Sequence, residues 1–156
     1  MSWIFLFLPF LNAVQYMLLF FLAKKNWKDH SKESQRLLPS VSILIAVRNE
    51  EKDLPRLLES LNRLDYPNEK LEILIADDQS EDTTQELLSA WAGNSQYRKI
   101  ITVLPSQTGF FHPNGKANAL AILAKKAQGE FFFFTDADCE VPSTWISEGV
   151  SCFGQN

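Results

Sequence analysis

The sequence has little metal-binding or redox chemistry, with only two cysteines and two histidines in 156 residues. A structural zinc site needs four Cys or His ligands at short spacings, and Cys139 and Cys152 have no histidine pair near them. We interpret both cysteines as plain buried thiols in a reducing compartment. The sequence therefore excludes a zinc site.

Positive charge is also scarce in the larger part of the chain. From Leu37 onward there are 10 basic and 17 acidic residues. Nucleic-acid binding needs a basic face that displaces counterions from phosphates, and this composition cannot supply one. The sequence also lacks internal repeats and low-complexity tracts. We therefore expect no nucleic-acid partner.

The first residues differ from the rest, because no formal charge occurs from Trp3 to Ala23. An apolar helix of about 20 residues can span a bilayer. The next stretch is basic on balance, which by the positive-inside rule places the downstream chain in the cytoplasm. We predict a single-pass transmembrane anchor over residues 1–23 in the cell membrane, a juxtamembrane linker over 24–39 and a cytoplasmic catalytic region. The rival is a cleavable signal peptide, but neither its basic start nor its small-residue cleavage site is present.

Residues 40–156 alternate between short apolar runs and helical patterns. β-branched runs such as Val41–Val47 indicate strands that are covered on both faces. Further strands are predicted over 71–76, 100–104 and 130–135, with helices over about 54–64, 83–91 and 117–127, a loop over 105–115 and a last helix around Trp145. This alternation predicts an α/β fold with a mainly parallel sheet wrapped by helices.

The most informative stretch is the run Phe131–Phe134 followed by Thr135-Asp136-Ala137-Asp138. It predicts a buried strand that carries two carboxylates to an open end of the sheet. Two carboxylates two residues apart can share one hard divalent cation, because Mg²⁺ takes oxygen ligands and often adds those of substrate phosphates. The alternative is a solvated acidic turn.

Polar clusters follow the other strands too. Glu50 comes after the first strand, Asp77 and Asp78 come after the second, and Lys116 opens a helix directly after Gly115. Ligands of such sheets gather beyond the carboxyl ends of the strands. Structural roles stay open for each cluster: an acid in the first turn stabilises a helix, Asp78 and Ser80 could cap one, and Lys116 could be solvated. Of Asp77 and Asp78, we expect one to serve the ligand and the other the structure.

Four segments in this order resemble a family 2 glycosyltransferase, over about residues 39–149. They are Val41-Ser42-Ile43-Leu44-Ile45-Ala46-Val47-Arg48-Asn49-Glu50-Glu51, Ile75-Ala76-Asp77-Asp78-Gln79-Ser80-Glu81-Asp82-Thr83, Gly115-Lys116-Ala117-Asn118-Ala119-Leu120 and Thr135-Asp136-Ala137-Asp138. The resemblance implies a Rossmann-like GT-A fold and inverting transfer of a sugar from a nucleotide donor, first of all a UDP-sugar, to an acceptor hydroxyl.

The resemblance also implies roles for individual residues. Asp77 would contact the nucleoside with Asp78 beside it, and Lys116 would approach the diphosphate. The Asp-x-Asp motif of Asp136 and Asp138 would hold Mg²⁺ or Mn²⁺, and we count Glu50 among the nucleotide-sugar-binding residues. The sequence departs from the family at Gln79, where many relatives carry glycine.

Inverting transfer needs a base that takes the proton of the acceptor hydroxyl. Family members usually provide an acid well beyond the Asp-x-Asp, whereas only Glu140 and Glu148 follow it here. We therefore expect a base beyond Asn156 and interpret the chain as an N-terminal fragment that does not complete transfer.

Three rival functions remain. A nucleotidyltransferase normally has a glycine- and arginine-rich loop after its first strand, where this chain has Val47-Arg48-Asn49-Glu50. A phosphoacceptor signalling domain would place its acids on the first and third strands. A noncatalytic, membrane-tethered nucleotide-sugar-binding module is the third.

Overall fold

The computed structural model describes residues 2–26, 38–103 and 115–153, and within the first of these ranges it describes the side chains of residues 11–25. The chain divides into two compact units, residues 1–34 and 35–156. Most of the predicted linker and of the loop predicted over 105–115 lies outside the described residues.

The first unit contains helix α1, Ser2–Asn26. Its described apolar side chains from Leu11 to Leu22 are exposed. In the described part of the chain, no helix combines the length and the apolar character that a membrane crossing requires. The transmembrane anchor predicted over residues 1–23 is therefore not supported by the structure.

The second unit is built on a four-stranded parallel sheet with the order β3-β2-β1-β4. The strands are β1 Val41–Val47, β2 Leu71–Asp77, β3 Arg98–Thr102 and β4 Phe131–Phe134. The helices are α2 Leu54–Asn62, α3 Thr84–Ala92, α4 Lys116–Lys126 and α5 Trp145–Phe153, and a short 3₁₀ turn covers Asn68–Lys70. The predicted α/β fold with a parallel sheet is confirmed.

Helices cover both faces of the sheet, because the inner strands carry apolar side chains on both sides. Ile43, Ile45 and Val47 of β1 belong to one core, together with buried residues of α2, α3 and α5. Leu44 of β1 packs in the other core with Leu123 of α4. Each fully buried side chain of this kind stabilises the fold by about 1.5–3 kcal/mol.

The strand order contains one reversal. From β1 the chain proceeds outward to β2 and β3, and it then returns to place β4 on the other side of β1. In open parallel sheets, such a reversal leaves a crevice beyond the carboxyl ends of the two strands that flank it. The crevice of this fold therefore lies beyond the ends of β1 and β4.

Three details differ from the sequence predictions. β4 lies at an edge of the described sheet, and Phe132 and Phe134 are 42% and 54% exposed, so this strand is only partly buried, whereas a buried strand was predicted. β3 begins at Arg98, two residues earlier than predicted. Cys139 and Cys152 are exposed thiols, because they lie in a surface loop and near the end of α5 and not in the core.

Candidate nucleotide-binding cleft

A cleft of about 420 Å³ lies at the carboxyl ends of β1, β2 and β4. It is lined by the last residues of β1, by residues that follow β1, β2 and β4, and by the start of α4: Ala46, Val47, Arg48, Glu50, Asp78, Gly115, Lys116, Asp136, Ala137 and Asp138. The register pairs Val47 with Asp77, which brings the residues after β1 and β2 to the same level. The structure thus brings together Glu50, Asp78, Lys116, Asp136 and Asp138.

The loops after β1 and β2 hold each other in place. The backbone N–H of Asn49 donates to the Ser80 hydroxyl at 2.9 Å, and the Asn49 side-chain oxygen accepts from the Glu81 N–H at 2.8 Å. The Glu50 N–H donates to the Thr84 hydroxyl at 2.8 Å. These cross-loop bonds fix the backbone that carries Glu50 into the cleft.

Each of these two loops contains one residue in the left-handed region, Asn49 with φ 55° and Gln79 with φ 60°. Asparagine tolerates this conformation because its short polar side chain bonds locally, whereas glutamine does so at a cost. Glycine would adopt the backbone conformation of Gln79 without that cost.

The adjacent acids Asp77 and Asp78 have different surroundings. Asp77 is buried at 1% exposure, does not line the cleft, and accepts bonds at Oδ1 from the hydroxyl and the N–H of Ser80. Asp78 is also buried, at 5% exposure, but it lines the cleft, and its Oδ2 lies 3.9 Å from Nη1 of Arg48. The geometry favours Asp78 as the acid that meets a ligand and Asp77 as the acid that shapes the loop.

The alternative that Asp78 and Ser80 cap α3 is not what the structure shows. The helix begins at Thr84, whose N–H donates to Asp82 Oδ1 at 3.0 Å. The Ser80 hydroxyl donates to Asp77 instead.

Helix α4 opens into the cleft at Gly115 and Lys116. Gly115 has φ 82°, a conformation that L side chains rarely adopt, and this turn directs the start of the helix toward Asp78. The Lys116 ammonium forms an ion pair with Asp136 Oδ1, and both side chains are more than half exposed. Lys116 therefore lies in direct contact with the Asp-x-Asp motif.

The Asp-x-Asp loop is a turn that follows β4. The Cys139 N–H donates to the Asp136 carbonyl at 3.2 Å, and the Arg56 guanidinium of α2 donates to the Asp138 carbonyl at 2.7 Å. Ala137 between the two acids is buried. The backbone is thus anchored on both sides while the carboxylates of Asp136 and Asp138 remain exposed in the cleft.

The cleft carries an excess of negative charge, because four acids and two bases line it: Glu50, Asp78, Asp136 and Asp138 against Arg48 and Lys116. Burial raises the pKa of Glu50, and the negative charges of neighbouring acids, Asp138 first among them and Asp136 included, raise it further. These carboxylates therefore repel one another across a small space, which a bound cation would relieve.

Within the described residues, no group of three or more His, Cys, Asp or Glu side chains is arranged to hold a metal ion. The metal ligands that the sequence predicts are Asp136 and Asp138, which both line the cleft. That set fits Mg²⁺ or Mn²⁺ bound through one or two carboxylates and completed by substrate phosphates, and it does not fit an all-protein cage.

Three contributing residues were not among the predicted site residues. Arg48 lines the cleft directly after β1, in the same polar segment as Glu50 two residues later. Ser80 and Arg56 act through loop contacts with Asp77 and Asp138, and no sequence pattern indicates those contacts.

The parallel sheet, the reversal of strand order and the polar cleft at that reversal define a Rossmann-like protein whose candidate ligand site lies at the carboxyl ends of the strands. The profile of the family "Glycosyl transferase family 2" matches residues 42–156. The chain belongs to this family, as its resemblance at the sequence level predicted.

Relatives and solved structures agree with this assignment. The chain is 36% identical over 126 residues to the beta-monoglucosyldiacylglycerol synthase of Trichormus variabilis. These aligned residues cover 81% of this chain and 26% of the relative. The structure of S. aureus TarS 1-349 in complex with UDP-GlcNAc matches with a TM-score of 0.62 and 25% identity, over 74% of this chain and 31% of that one.

The mannosyltransferase PcManGT from Pyrobaculum calidifontis, solved with GDP-Man and Mn²⁺, shares the fold with a TM-score of 0.63 at 24% identity. It matches 86% of this chain and 39% of that chain. The chain thus spans about a quarter of the length of the curated relatives it matches first.

Proposed function

We propose that this chain forms the nucleotide-sugar donor site of a metal-dependent, inverting glycosyltransferase. The observation that carries the proposal is the convergence of Asp78, Lys116, Asp136 and Asp138 on one cleft at the strand-order reversal. Membership of the glycosyl transferase family 2 supports it.

Each cleft residue has a chemical role in this proposal. The Asp78 carboxylate accepts hydrogen bonds from N–H or O–H groups of the nucleoside, because an ionised carboxylate can only accept. Lys116 donates to a diphosphate oxygen and offsets the negative charge that grows there as the sugar leaves. Asp77 holds the Asp78 loop in shape through Ser80.

Asp136 and Asp138 hold a Mg²⁺ or Mn²⁺ ion in the proposed site. When bound, the cation supplies positive charge at the diphosphate leaving group. Metal dependence follows from the charges of the cleft, since a diphosphate that enters a cleft with four acids and two bases meets net repulsion. Glu50 adds to that repulsion and so favours entry of the nucleotide together with a cation.

A UDP-sugar is the proposed donor, and the acceptor remains undefined. Glu140 and Glu148 are the acids that follow the Asp-x-Asp in the sequence, and neither lines the cleft. Glu140 is paired with Arg63 at 2.9 Å. We propose that residues 1–156 bind the donor and do not by themselves complete transfer. The cytoplasmic location stays a prediction from the sequence, without the support of a membrane-spanning helix among the described residues.

Isothermal titration calorimetry of the chain with UDP, with and without Mn²⁺, tests the donor site. We expect binding that is at least tenfold tighter with Mn²⁺ and that weakens about tenfold in Asp138→Asn, which removes a charged ligand of the ion. Glu140→Gln is the matched control, because it removes an acid two residues away that lies outside the cleft.

Absence of UDP binding by the folded chain at millimolar concentrations, with and without Mn²⁺, would contradict the donor site. Equal weakening in Asp138→Asn and Glu140→Gln would contradict the assignment of the metal ligand. Sugar transfer from a UDP-sugar by residues 1–156 alone would overturn the proposal that these residues lack a base.

A further inference from the structure

We propose that Lys116 occupies the cation position of the nucleotide-free cleft through its ion pair with Asp136. This makes divalent cation and nucleotide bind cooperatively. The inference rests on the proposed donor site and adds a step to it. In the nucleotide-free protein, Lys116 and a cation compete for one carboxylate, and a diphosphate ends the competition by drawing the ammonium away.

The structure provides the competing contact. The Lys116 ammonium pairs with Oδ1 of Asp136, the first acid of the Asp-x-Asp motif. The other cleft cation, Arg48, is paired with Asp78 instead, with 3.9 Å between Nη1 and Oδ2. One of the two cleft bases is therefore placed to block a metal ligand.

The position of Lys116 permits an exchange of partners. It is the first residue of α4, and its side chain is 56% exposed, so the ammonium can swing without unpacking the helix. The helix itself is anchored by buried residues further along, including Leu123. A diphosphate offers the ammonium a partner of higher charge than one carboxylate.

The protein offers a metal ion few ligands, so the loss of one carboxylate to Lys116 weakens metal binding noticeably. A cation that reaches the cleft alone must displace Lys116 and then finds two carboxylates and water. An exposed ion pair contributes about 0.2–1 kcal/mol, which is up to about fivefold in an equilibrium constant, and repulsion between the ammonium and a divalent cation adds to it. With a diphosphate present, the pair is already broken, so UDP raises cation affinity and the cation raises UDP affinity by the same factor.

Mn²⁺ binding measured by electron paramagnetic resonance, in which free and bound Mn²⁺ are distinguished, tests this inference without any activity assay. We expect Lys116→Gln to bind Mn²⁺ alone about fivefold more tightly than the parent chain. Saturating UDP should tighten Mn²⁺ binding less in Lys116→Gln than in the parent, because the competing pair is already absent.

Three variants serve as controls. Lys116→Arg keeps the positive charge and should retain the weak Mn²⁺ binding of the parent. Arg48→Gln removes the other cleft charge and should tighten Mn²⁺ binding by less than twofold. Lys126→Gln, about 15 Å further along the same helix, should leave it unchanged. Thermal unfolding by circular dichroism checks that every variant is folded.

The outcomes separate this inference from the proposed function. If the parent binds UDP with Mn²⁺ but Lys116→Gln binds Mn²⁺ alone no more tightly, the competition is refuted and the donor site stands. Equal tightening in Arg48→Gln and Lys116→Gln would also refute it, since general electrostatics would then explain both. If the parent binds no UDP at all, the donor site itself fails.

Discussion

At the scale of single residues, the clearest feature is the division of work between two neighbouring aspartates. Asp77 points into the protein and receives two bonds from Ser80, while Asp78 faces the cleft. Since successive side chains at the end of a strand point to opposite sides, one acid of the pair is available to a ligand and the other to the loop.

Substitution of each aspartate by asparagine should therefore give opposite results. Asp77→Asn weakens the Ser80 contacts and should lower the free energy of unfolding by about 1–3 kcal/mol. Asp78→Asn should leave stability unchanged or slightly higher while weakening UDP binding about tenfold, because a charged acceptor is lost. Urea unfolding and calorimetric titration measure the two effects, and a swapped result would show that Asp77 meets the nucleoside.

Gln79 provides a second test at this scale. Its φ of 60° costs an L residue roughly 1 kcal/mol, whereas glycine adopts it freely. Gln79→Gly should therefore raise the free energy of unfolding by up to about 1 kcal/mol, offset in part by the greater freedom of glycine in the unfolded chain. A loss of more than about 1 kcal/mol on urea unfolding would contradict the left-handed geometry of this loop.

At the scale of elements, the entry into β4 depends on close backbone contact. A Cβ atom added to Gly129 would lie 2.4 Å from the backbone N of Ser42 and 2.6 Å from the carbonyl carbon of Val41. Neither atom can move aside, because both belong to the start of β1 at the centre of the sheet. The pairing of β1 with β4, and with it the position of the Asp-x-Asp loop, needs glycine here.

Gly129→Ala should consequently lower the free energy of unfolding by about 2–4 kcal/mol, as severe overpacking does. The adjacent exposed substitution Gln128→Ala keeps the backbone donor and should cost less than about 0.5 kcal/mol. Equal stability of the two variants in urea would contradict the β1–β4 contact.

The elements show what sequence patterns can and cannot predict. β1 was predicted with the boundaries that the structure has, because a continuous β-branched run indicates a central strand. The run Phe131–Phe134 gave the same apolar signal, yet two of its side chains are exposed. A hydrophobic run indicates a strand. Whether the strand is buried depends on the elements that pack beside it in the sheet, and the run itself does not specify those elements.

At the scale of the whole molecule, Glu72 joins parts that are distant in sequence. Its carboxylate accepts from Ser42 of β1, from Lys99 of β3 and from the N–H of Gln128 beyond α4. Burial favours the neutral acid, but these hydrogen bonds and the Lys99 charge outweigh it and hold the pKa of Glu72 below its ordinary value of 4.5. The ionised form therefore stabilises the assembled sheet.

The pH dependence follows from the sign of this shift. An acid with a lowered pKa in the folded state contributes its full stabilisation above its unfolded pKa, and it loses this as pH falls through the folded pKa. Glu72→Gln should be less stable than the parent by about 2 kcal/mol at pH 7, and the difference should shrink below about pH 4.5. A difference that stays constant from pH 7 to pH 3 in urea unfolding would contradict the assignment.

The cleft could be predicted from the sequence in outline, because acids directly after parallel strands must meet at one edge of the sheet. Glu50, Asp78, Lys116, Asp136 and Asp138 do line one cleft. The orientation of Asp77 and the pairing of Lys116 with Asp136 depend on contacts between residues 3 and 20 positions apart. Such contacts are set by loop geometry and helix placement, which spacing alone does not specify.

The central claim is that one cleft at the strand-order reversal binds a nucleotide together with a divalent cation. Nuclear magnetic resonance of the ¹⁵N-labelled chain with UDP and Mn²⁺ tests it most directly, since Mn²⁺ broadens the signals of nearby amides. We predict broadening at Arg48, Lys116 and Asp138, and none at Asn62 or Ser95, which line a separate cavity of about 110 Å³. Broadening centred on Asn62 and Ser95, or broadening at the cleft that UDP does not strengthen at subsaturating Mn²⁺, would contradict the claim.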